Sequence, residues 1–183
     1  MINTEHIIPI AMTATEQAEI YIELNSRDPK AKLTEWGSGG STILWYVNLT
    51  DNQQLVSIEN DPAWAERVRS TIDKLDIERD FKYYVYETAQ DGATFTPEHE
   101  YYSDYVQGPD HIWDSDVYLV DGRVRVWCAR TIFERAQNRS AVVYCHDYAH
   151  NGASYRSLLD LYPRHEIIAT PDTEYQMLKL WLE

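Results

Sequence analysis

Past residue 30 the chain alternates short, mostly apolar runs with longer helix-like segments, and this alternation points to a fold class before any single motif does. The runs are "AKLTEW" (Ala31 to Trp36), "QLVSIE" (Gln54 to Glu59), "FKYYVY" (Phe81 to Tyr86), "DVYLVD" (Asp116 to Asp121) and "AVVYCH" (Ala141 to His146), rich in Val, Ile and Tyr. They read as strands buried in a sheet. The segments Ser41 to Leu49, Pro62 to Leu75, Val124 to Ala136 and Ser154 to Leu161 read as helices. Asp61 can cap the second of these, and Pro62 fits its first turn, where a missing N–H costs nothing. Ahead of the first strand, Thr13-x-x-Glu16 has the form of a capping box, so a helix is expected from near Thr13 to Asn25, before "SRDPK" breaks it.

Strands alternating with helices call for an α/β fold with a parallel sheet, helices on both faces and right-handed crossovers. The C-terminus departs from that alternation. "HEIIAT", "PD" and "TEYQMLKLWL" give two strand-like runs around a turn, hence a hairpin whose last strand is antiparallel to its predecessor.

With 183 residues, no internal repeat and no composition shift, the expectation is a single domain, residues 1–30 forming a helical N-terminal extension. Hydrophobic residues at 44% and aromatics at 13% are globular values. No apolar run approaches the roughly 20 residues of a membrane span. The start "MINTEHIIPIAMTATEQ" lacks the basic residues and long apolar stretch of a signal peptide, so a cytoplasmic protein without a membrane partner is expected. Cys128 and Cys145 fall in an expected helix and strand, which fits buried thiols. The net charge of −14, from 30 acidic and 16 basic side chains, repels a phosphate backbone and argues against nucleic acid. Arg123, Arg125, Arg130, Arg135 and Arg139 are the candidates for a local basic patch, but a solvated helix face accounts for them more simply.

One loop carries chemistry. In "LTEWGSGGST" (Leu33 to Thr42) a carboxylate precedes three glycines between the first strand and the next helix. Gly37, Gly39 and Gly40 permit a tight turn and close approach of a ligand to the backbone, and the following helix offers free N–H groups. Ligands of open α/β sheets bind at the carboxyl ends of the strands, where this loop must sit. Glu59, closing the second strand, can accept two hydrogen bonds from a ribose diol. A Walker loop is excluded by the lack of Gly-Lys-Ser or Gly-Lys-Thr. A dinucleotide fold suffers from Ser41-Thr42 where its third glycine should fall and from Glu35 facing a pyrophosphate. S-adenosylmethionine fits better: it brings a ribose for Glu59, an ammonium near Glu35 and no phosphate.

"TEWGSGGST", "VSIENDPAW", "VYLVDGRVRVWCA" and "VYCHDY", in this order and spacing, resemble the class I S-adenosylmethionine-dependent methyltransferases, more narrowly a branch with an EWGSGGST loop and a VDGR motif. The resemblance covers Ala31 to the C-terminus. It implies a Rossmann-like, three-layer αβα fold with a seven-stranded, mostly parallel sheet in the order 3-2-1-4-5-7-6, the hairpin supplying the antiparallel last strand. It also implies that Glu35, Gly37, Ser38 and Gly39 line the methionine end of the cofactor, with Asp121 nearby, that Glu59 holds the ribose and that Asn60 lies beside the adenosine. Glu87, with Asp91 as rival, is the implied adenine contact, and Trp64 either packs near the adenosine or belongs to the core.

Catalytic groups are expected at the ends of the fourth and fifth strands, which deliver Asp121 and His146-Asp147. Methyl transfer needs mainly alignment, but a hydroxyl acceptor must also lose its proton. His146 as general base, or magnesium held by Asp121 and Asp147, would each serve. The resemblance to catechol-type O-methyltransferases in the placement of these acids supports the metal, yet His146 and Tyr148 around Asp147 depart from that pattern. The irregular segment Thr88 to Ser115, with Tyr101, Tyr102, Tyr105 and Trp113, is the expected lid over a small-molecule or saccharide acceptor. The amino-directed Asn-Pro-Pro-Tyr motif is absent, Val120-Asp121-Gly122-Arg123 standing in its place. The alternatives are a non-catalytic cofactor-binding module or partner subunit and, below it, an NAD-dependent oxidoreductase.

Overall fold

The computed structural model describes residues 8–88, 103–148, 152–168 and 176–183. Helix α1 (Ala14–Asn25) precedes strand β1 (Lys32–Trp36). There follow α2 (Gly40–Asn48), β2 (Gln54–Glu59), α3 (Pro62–Ile72), β3 (Asp80–Val85), α4 (Ser103–Gln107), β4 (Val117–Val120), α5 (Arg125–Arg135), β5 (Val142–Cys145), α6 (Gly152–Leu161), β6 (His165–Ile168) and β7 (Met177–Trp181). The seven strands lie in the order β3-β2-β1-β4-β5-β7-β6. Strands β1 to β5 are parallel, while β7 runs antiparallel to both β5 and β6. Fold class, strand order and antiparallel ending are those expected from the sequence.

Alternate residues of each strand enter different layers, as the two-residue pleat requires. Leu33, Leu55, Val117, Leu119, Val142 and Tyr144 pack with α1, α2 and α3. Trp36, Val56, Ile58, Tyr118, Val120 and Val143 pack with α4, α5 and α6. A strand buried on both faces has no reason to alternate apolar with polar, and hence the near-continuous apolar runs. The N-terminal helix is built in by charge as well as packing. Thr13 and Glu16 form the capping box. Lys179 of β7 donates to Glu19 at 2.5 Å and pairs with Glu23 at 3.0 Å.

The register aligns Trp36 with Ile58 and with Val120, and Val120 with Cys145. Four neighbouring strands therefore end level, and the residues that follow them share one edge. Strands β4 and β5 stop one residue short of the apolar runs, which frees Asp121 and His146 to project from that edge. The loops after β1 and β4 meet backbone to backbone: a Cβ on Gly122 would lie 2.9 Å from Gly37 Cα and inside the Tyr105 hydroxyl. Gly37 also has φ +92, a left-handed conformation that disfavours any side chain. By contrast a Cβ on Gly39 would meet only a Trp64 ring carbon at 3.9 Å.

Gly37→Ala is accordingly expected to lower unfolding free energy by about 2–4 kcal/mol through backbone strain and overlap with Gly122. Gly39→Ala should cost under about 1 kcal/mol. Urea denaturation of the two variants checks this, and equal losses would remove the claim that Gly37 is fixed by the approach of the two loops.

Candidate functional site

The half of the edge expected to take the cofactor is a clamped turn. Gly37 donates its N–H to Ile58 O at 2.8 Å, and Gly39 donates to Thr42 Oγ1 at 2.8 Å. Glu59 holds the loop from the side: Oε2 accepts from Ser38 N–H at 2.9 Å and Ser38 Oγ at 2.8 Å, while Oε1 accepts from Asn60 and Asp61 N–H at 2.7 and 2.9 Å. Ser38 Oγ is also 2.5 Å from the Tyr83 hydroxyl, a second partner that the sequence did not reveal. Trp64 Nε1 donates to Ser38 O at 2.7 Å, so this ring holds the loop itself. Asn60 is buried and donates to Thr88 Oγ1 at 3.1 Å. Glu87 is exposed just past β3, and Asp91 lies outside the described residues.

Glu35 is unlike its neighbours. Its carboxyl is fully buried, and neither oxygen has a hydrogen-bond partner among the described residues. Burial pushes its pKa up to about 8, with Asp121 and Glu59 adding repulsion and the Thr42 and Ser57 hydroxyls opposing. A buried acid at the base of a glycine turn, with only the nearby Thr42 and Ser57 hydroxyls to favour its charge, is stabilised by an incoming cation or donor.

The half expected to carry the catalytic groups is a dense charge network. Asp121, His146 and Asp147 offer atoms within 4.8 Å of one another, so the structure brings together the three residues expected there. His146 Nδ1 is 2.9 Å from Asp121 Oδ1 and 3.2 Å from Asp147 Oδ1. Its Nε2 lies 3.6 Å from Oε2 of Glu16, an ion-pair distance that is too long for a hydrogen bond. Burial pulls the His146 pKa down, but the hydrogen bond to Asp121, the nearby Glu16 carboxylate and the charges of Asp121 and Asp147 outweigh it and raise it to about 10. Burial also opposes ionisation of Glu16, yet His146 and Thr13 lower its pKa on balance.

Arg125 completes the network and was misplaced by the sequence reading, which put it on a solvated helix face. Its guanidinium pairs with Asp147 at 2.5 Å and Asp121 at 3.5 Å. It also donates to Gly122 O, Asp121 O and His146 O at 3.0, 3.1 and 3.1 Å, tying the turns after β4 and β5 together. Those turns contain two non-glycine residues at positive φ, Val124 at +45 and Asp147 at +58. A β-branched residue in that region is strained, and strain persists where surrounding bonds over-determine it.

Both versions of the expected chemistry meet the same obstacle. A divalent ion at Asp121 and Asp147 would have to displace the Arg125 guanidinium from Asp147 and the proton from His146, although the three side chains lie close enough together to hold one. With its pKa raised to about 10, His146 favours the imidazolium, which works against the general-base role expected of it. The expected lid is also redrawn. Tyr105 and Trp113 are 0% and 2% exposed: Tyr105 sits beneath Gly122 and accepts from Arg123 N–H at 3.4 Å, and Trp113 packs on Trp36. Tyr101 and Tyr102 lie outside the described residues. Beside the network a cavity of about 590 Å³ is lined by Gly122, Arg123, Arg130, Trp127, Asp147 and Tyr155, among others.

Glu16 and Arg125 are the members of the charge network that the sequence did not disclose. Arg125 left one signal, its spacing of four from Asp121. Glu16 was read only as the third residue of a capping box, which it is.

No family model and no curated protein matches the chain. Solved structures do. A methyltransferase-like protein from Silicibacter pomeroyi has a TM-score of 0.67 at 19% identity, over 97% of this chain and 90% of that one. The S-adenosylhomocysteine-bound methyltransferase PaMTH1 of Podospora anserina has a TM-score of 0.63 at 16% identity, over 94% and 80%. An S-adenosylmethionine-dependent O-methyltransferase from Thermotoga maritima has a TM-score of 0.69 at 11% identity, over 96% and 68%. The chain has the Rossmann-like fold of these class I methyltransferases.

The network makes a pH prediction. A His146 pKa of about 10 in the folded state, against an ordinary 6.5, contributes stability that is fully present below pH 6.5 and lost as pH rises through 10. Wild type should therefore lose about 2–5 kcal/mol more than His146→Gln between those limits. Urea unfolding across the range measures the difference, and identical pH profiles would show that His146 is not held as a cation.

Proposed function

We propose that the protein is an S-adenosylmethionine-dependent methyltransferase acting on a hydroxyl of a small molecule, without a metal. The observation that carries this reading is Glu35, a buried and unpartnered carboxyl under a glycine turn, at the strand edge of a fold shared with methyltransferases. Glu35 would receive the cofactor's ammonium, with Gly37 and Gly39 leaving backbone bare for its methionine end. Glu59 would receive the ribose by releasing the Ser38 hydroxyl, which keeps Tyr83 as a partner. Asn60 would lie beside the adenosine. When bound, the cofactor supplies an electrophilic methyl on a sulfonium.

The remaining chemistry belongs to the acceptor. Asp147 is the carboxylate in the cavity lining. It accepts the proton that an acceptor hydroxyl loses as its oxygen takes the methyl. Arg125 and His146 orient that carboxylate from two sides, and Asp121 and Glu16 hold His146 as an imidazolium. A fixed ion pair at a buried edge is preorganised, so little rearrangement accompanies the reaction.

S-adenosylhomocysteine is expected to bind the purified protein and NAD is not. Because Glu35 is mostly protonated below pH 8 and pairs with an ammonium as a carboxylate, binding at pH 7 should release a proton from wild type and none from Glu35→Gln. Calorimetry in buffers of different ionisation enthalpy reads this. Glu59→Gln should weaken binding by about 1.5–3 kcal/mol. No heat with S-adenosylhomocysteine, alongside a response to NAD, would overturn the assignment.

Turnover, once an acceptor is in hand, is expected to persist in a chelator. Asp147→Asn should lower the rate by about 10² to 10⁴ with cofactor affinity retained. Activity abolished by chelator and restored by magnesium would return the acids to metal binding.

A further inference from the structure

The cavity beside the reactive edge carries a charge opposite to that of the protein. Three arginines, Arg123, Arg125 and Arg130, line it against one carboxylate, Asp147, in a chain with a net charge of −14. Arg125 and Asp147 are engaged with each other. Arg130 is not so engaged. It has no carboxylate partner among the described residues, and its guanidinium lies 5.3 Å from the centroid of the Trp127 ring, which also lines the cavity. Arg123 stands exposed at the same wall.

Positive charge collected in one concavity of an acidic protein is a selective arrangement. The net negative charge works against anions approaching the protein at large, and a guanidinium fork matches a carboxylate or phosphate with two parallel hydrogen bonds. The first turn of α5, which opens from this wall, contains no acidic residue that would compete. Trp127 offers an apolar surface for the body of a ligand. At about 590 Å³ the space suits one small molecule. Gly122 and Asp147 belong both to its lining and to the turns after β4 and β5, so a ligand held here has the reactive edge beside it.

We propose that this cavity is the acceptor pocket and that the acceptor is an anionic small molecule. Its carboxylate or phosphate group is held by Arg130 and Arg123, its body rests on Trp127, and a hydroxyl is presented to Asp147. This deepens the methyltransferase reading and rests on it. A neutral saccharide, the other acceptor class the sequence allowed, would offer Arg130 hydroxyl oxygens but no negative charge to pair with.

The test titrates full-length protein saturated with S-adenosylhomocysteine with three phenols: 4-hydroxybenzoate, 4-hydroxyphenyl phosphate and the neutral 4-hydroxybenzamide. At least one anion should bind about 10-fold or more tightly than the amide, with a preference that shrinks as salt is raised, and the better of the two names the group recognised. Arg130→Gln should weaken that anion by roughly 10- to 100-fold, leaving the amide, S-adenosylhomocysteine and the unfolding midpoint unchanged. Equal affinity for anions and amide, no binding by either anion, or a preference that survives both Arg130→Gln and Arg123→Gln, would overturn the proposal. Failure of S-adenosylhomocysteine to bind is a separate result: it strikes the methyltransferase reading, while the same phenols titrated without it still report on the cavity.

Discussion

The loops after β1 and β4 touch backbone to backbone at Gly37 and Gly122, and the rest of the site depends on that approach. Any side chain at either position would drive the loops apart and carry Asp121 away from Glu35. The contact is supported from both sides. Trp64 and Glu59 fasten the first loop through Ser38, and the Tyr105 hydroxyl sits under the second. Large aromatic residues are well suited to such support because they fill space in the core and still present a polar tip. Tyr105 and Trp64 are thus explained by the loops they hold, more than by the ligand either loop receives.

A second constraint is electrostatic. Asp121, Asp147 and Glu16 converge where the strands end, and three carboxylates at that range cannot remain ionised in a buried place without compensation. His146 and Arg125 provide it. Burial opposes the charge on Arg125, and Tyr155, Asp121 and Asp147 together raise its pKa further above its ordinary value. Its three bonds to backbone carbonyls do more than neutralise, because they hold Val124 and Asp147 in conformations that neither residue prefers. Positioning the acids, supplying the cation and straining the turns are one arrangement seen from three sides.

Much of this was legible in the sequence for a physical reason. Strands buried on both faces write themselves as continuous apolar runs, and the caps at Thr13 and Asp61 depend on residues three apart or fewer. Asp121, His146 and Asp147 could be placed because the sheet aligns strand ends, so position along a strand predicts position at the edge. Arg125 could not, since an arginine on a helix is usually solvated and only the turn geometry reveals that it points back over β4. Tyr105 failed for the opposite reason. An aromatic in an irregular stretch looked like part of a lid, whereas a short helix, α4, folds it into the core. The raised pKa of His146 was only partly within reach from spacing, because Asp121 and Asp147 lie at the same strand ends but Glu16, which adds to their effect, is more than a hundred residues away in the chain.

The N-terminal segment was expected as an extension, and its contacts argue for a larger part. Pro9 O lies where a Cβ on Gly40 would come within 2.5 Å of it, so the segment rests directly on the glycine loop. Seven residues on, Glu16 reaches His146. The pairs from Lys179 to Glu19 and Glu23 pin the same helix to β7. One stretch of chain therefore touches both halves of the edge while being anchored to a third place. The capping box fixes the start of α1, and with it the position from which Glu16 acts. Local helix chemistry at Thr13 and the charge state of a histidine after β5 are in this way the same interaction, since the carboxylate that caps the one is the carboxylate that pairs with the other.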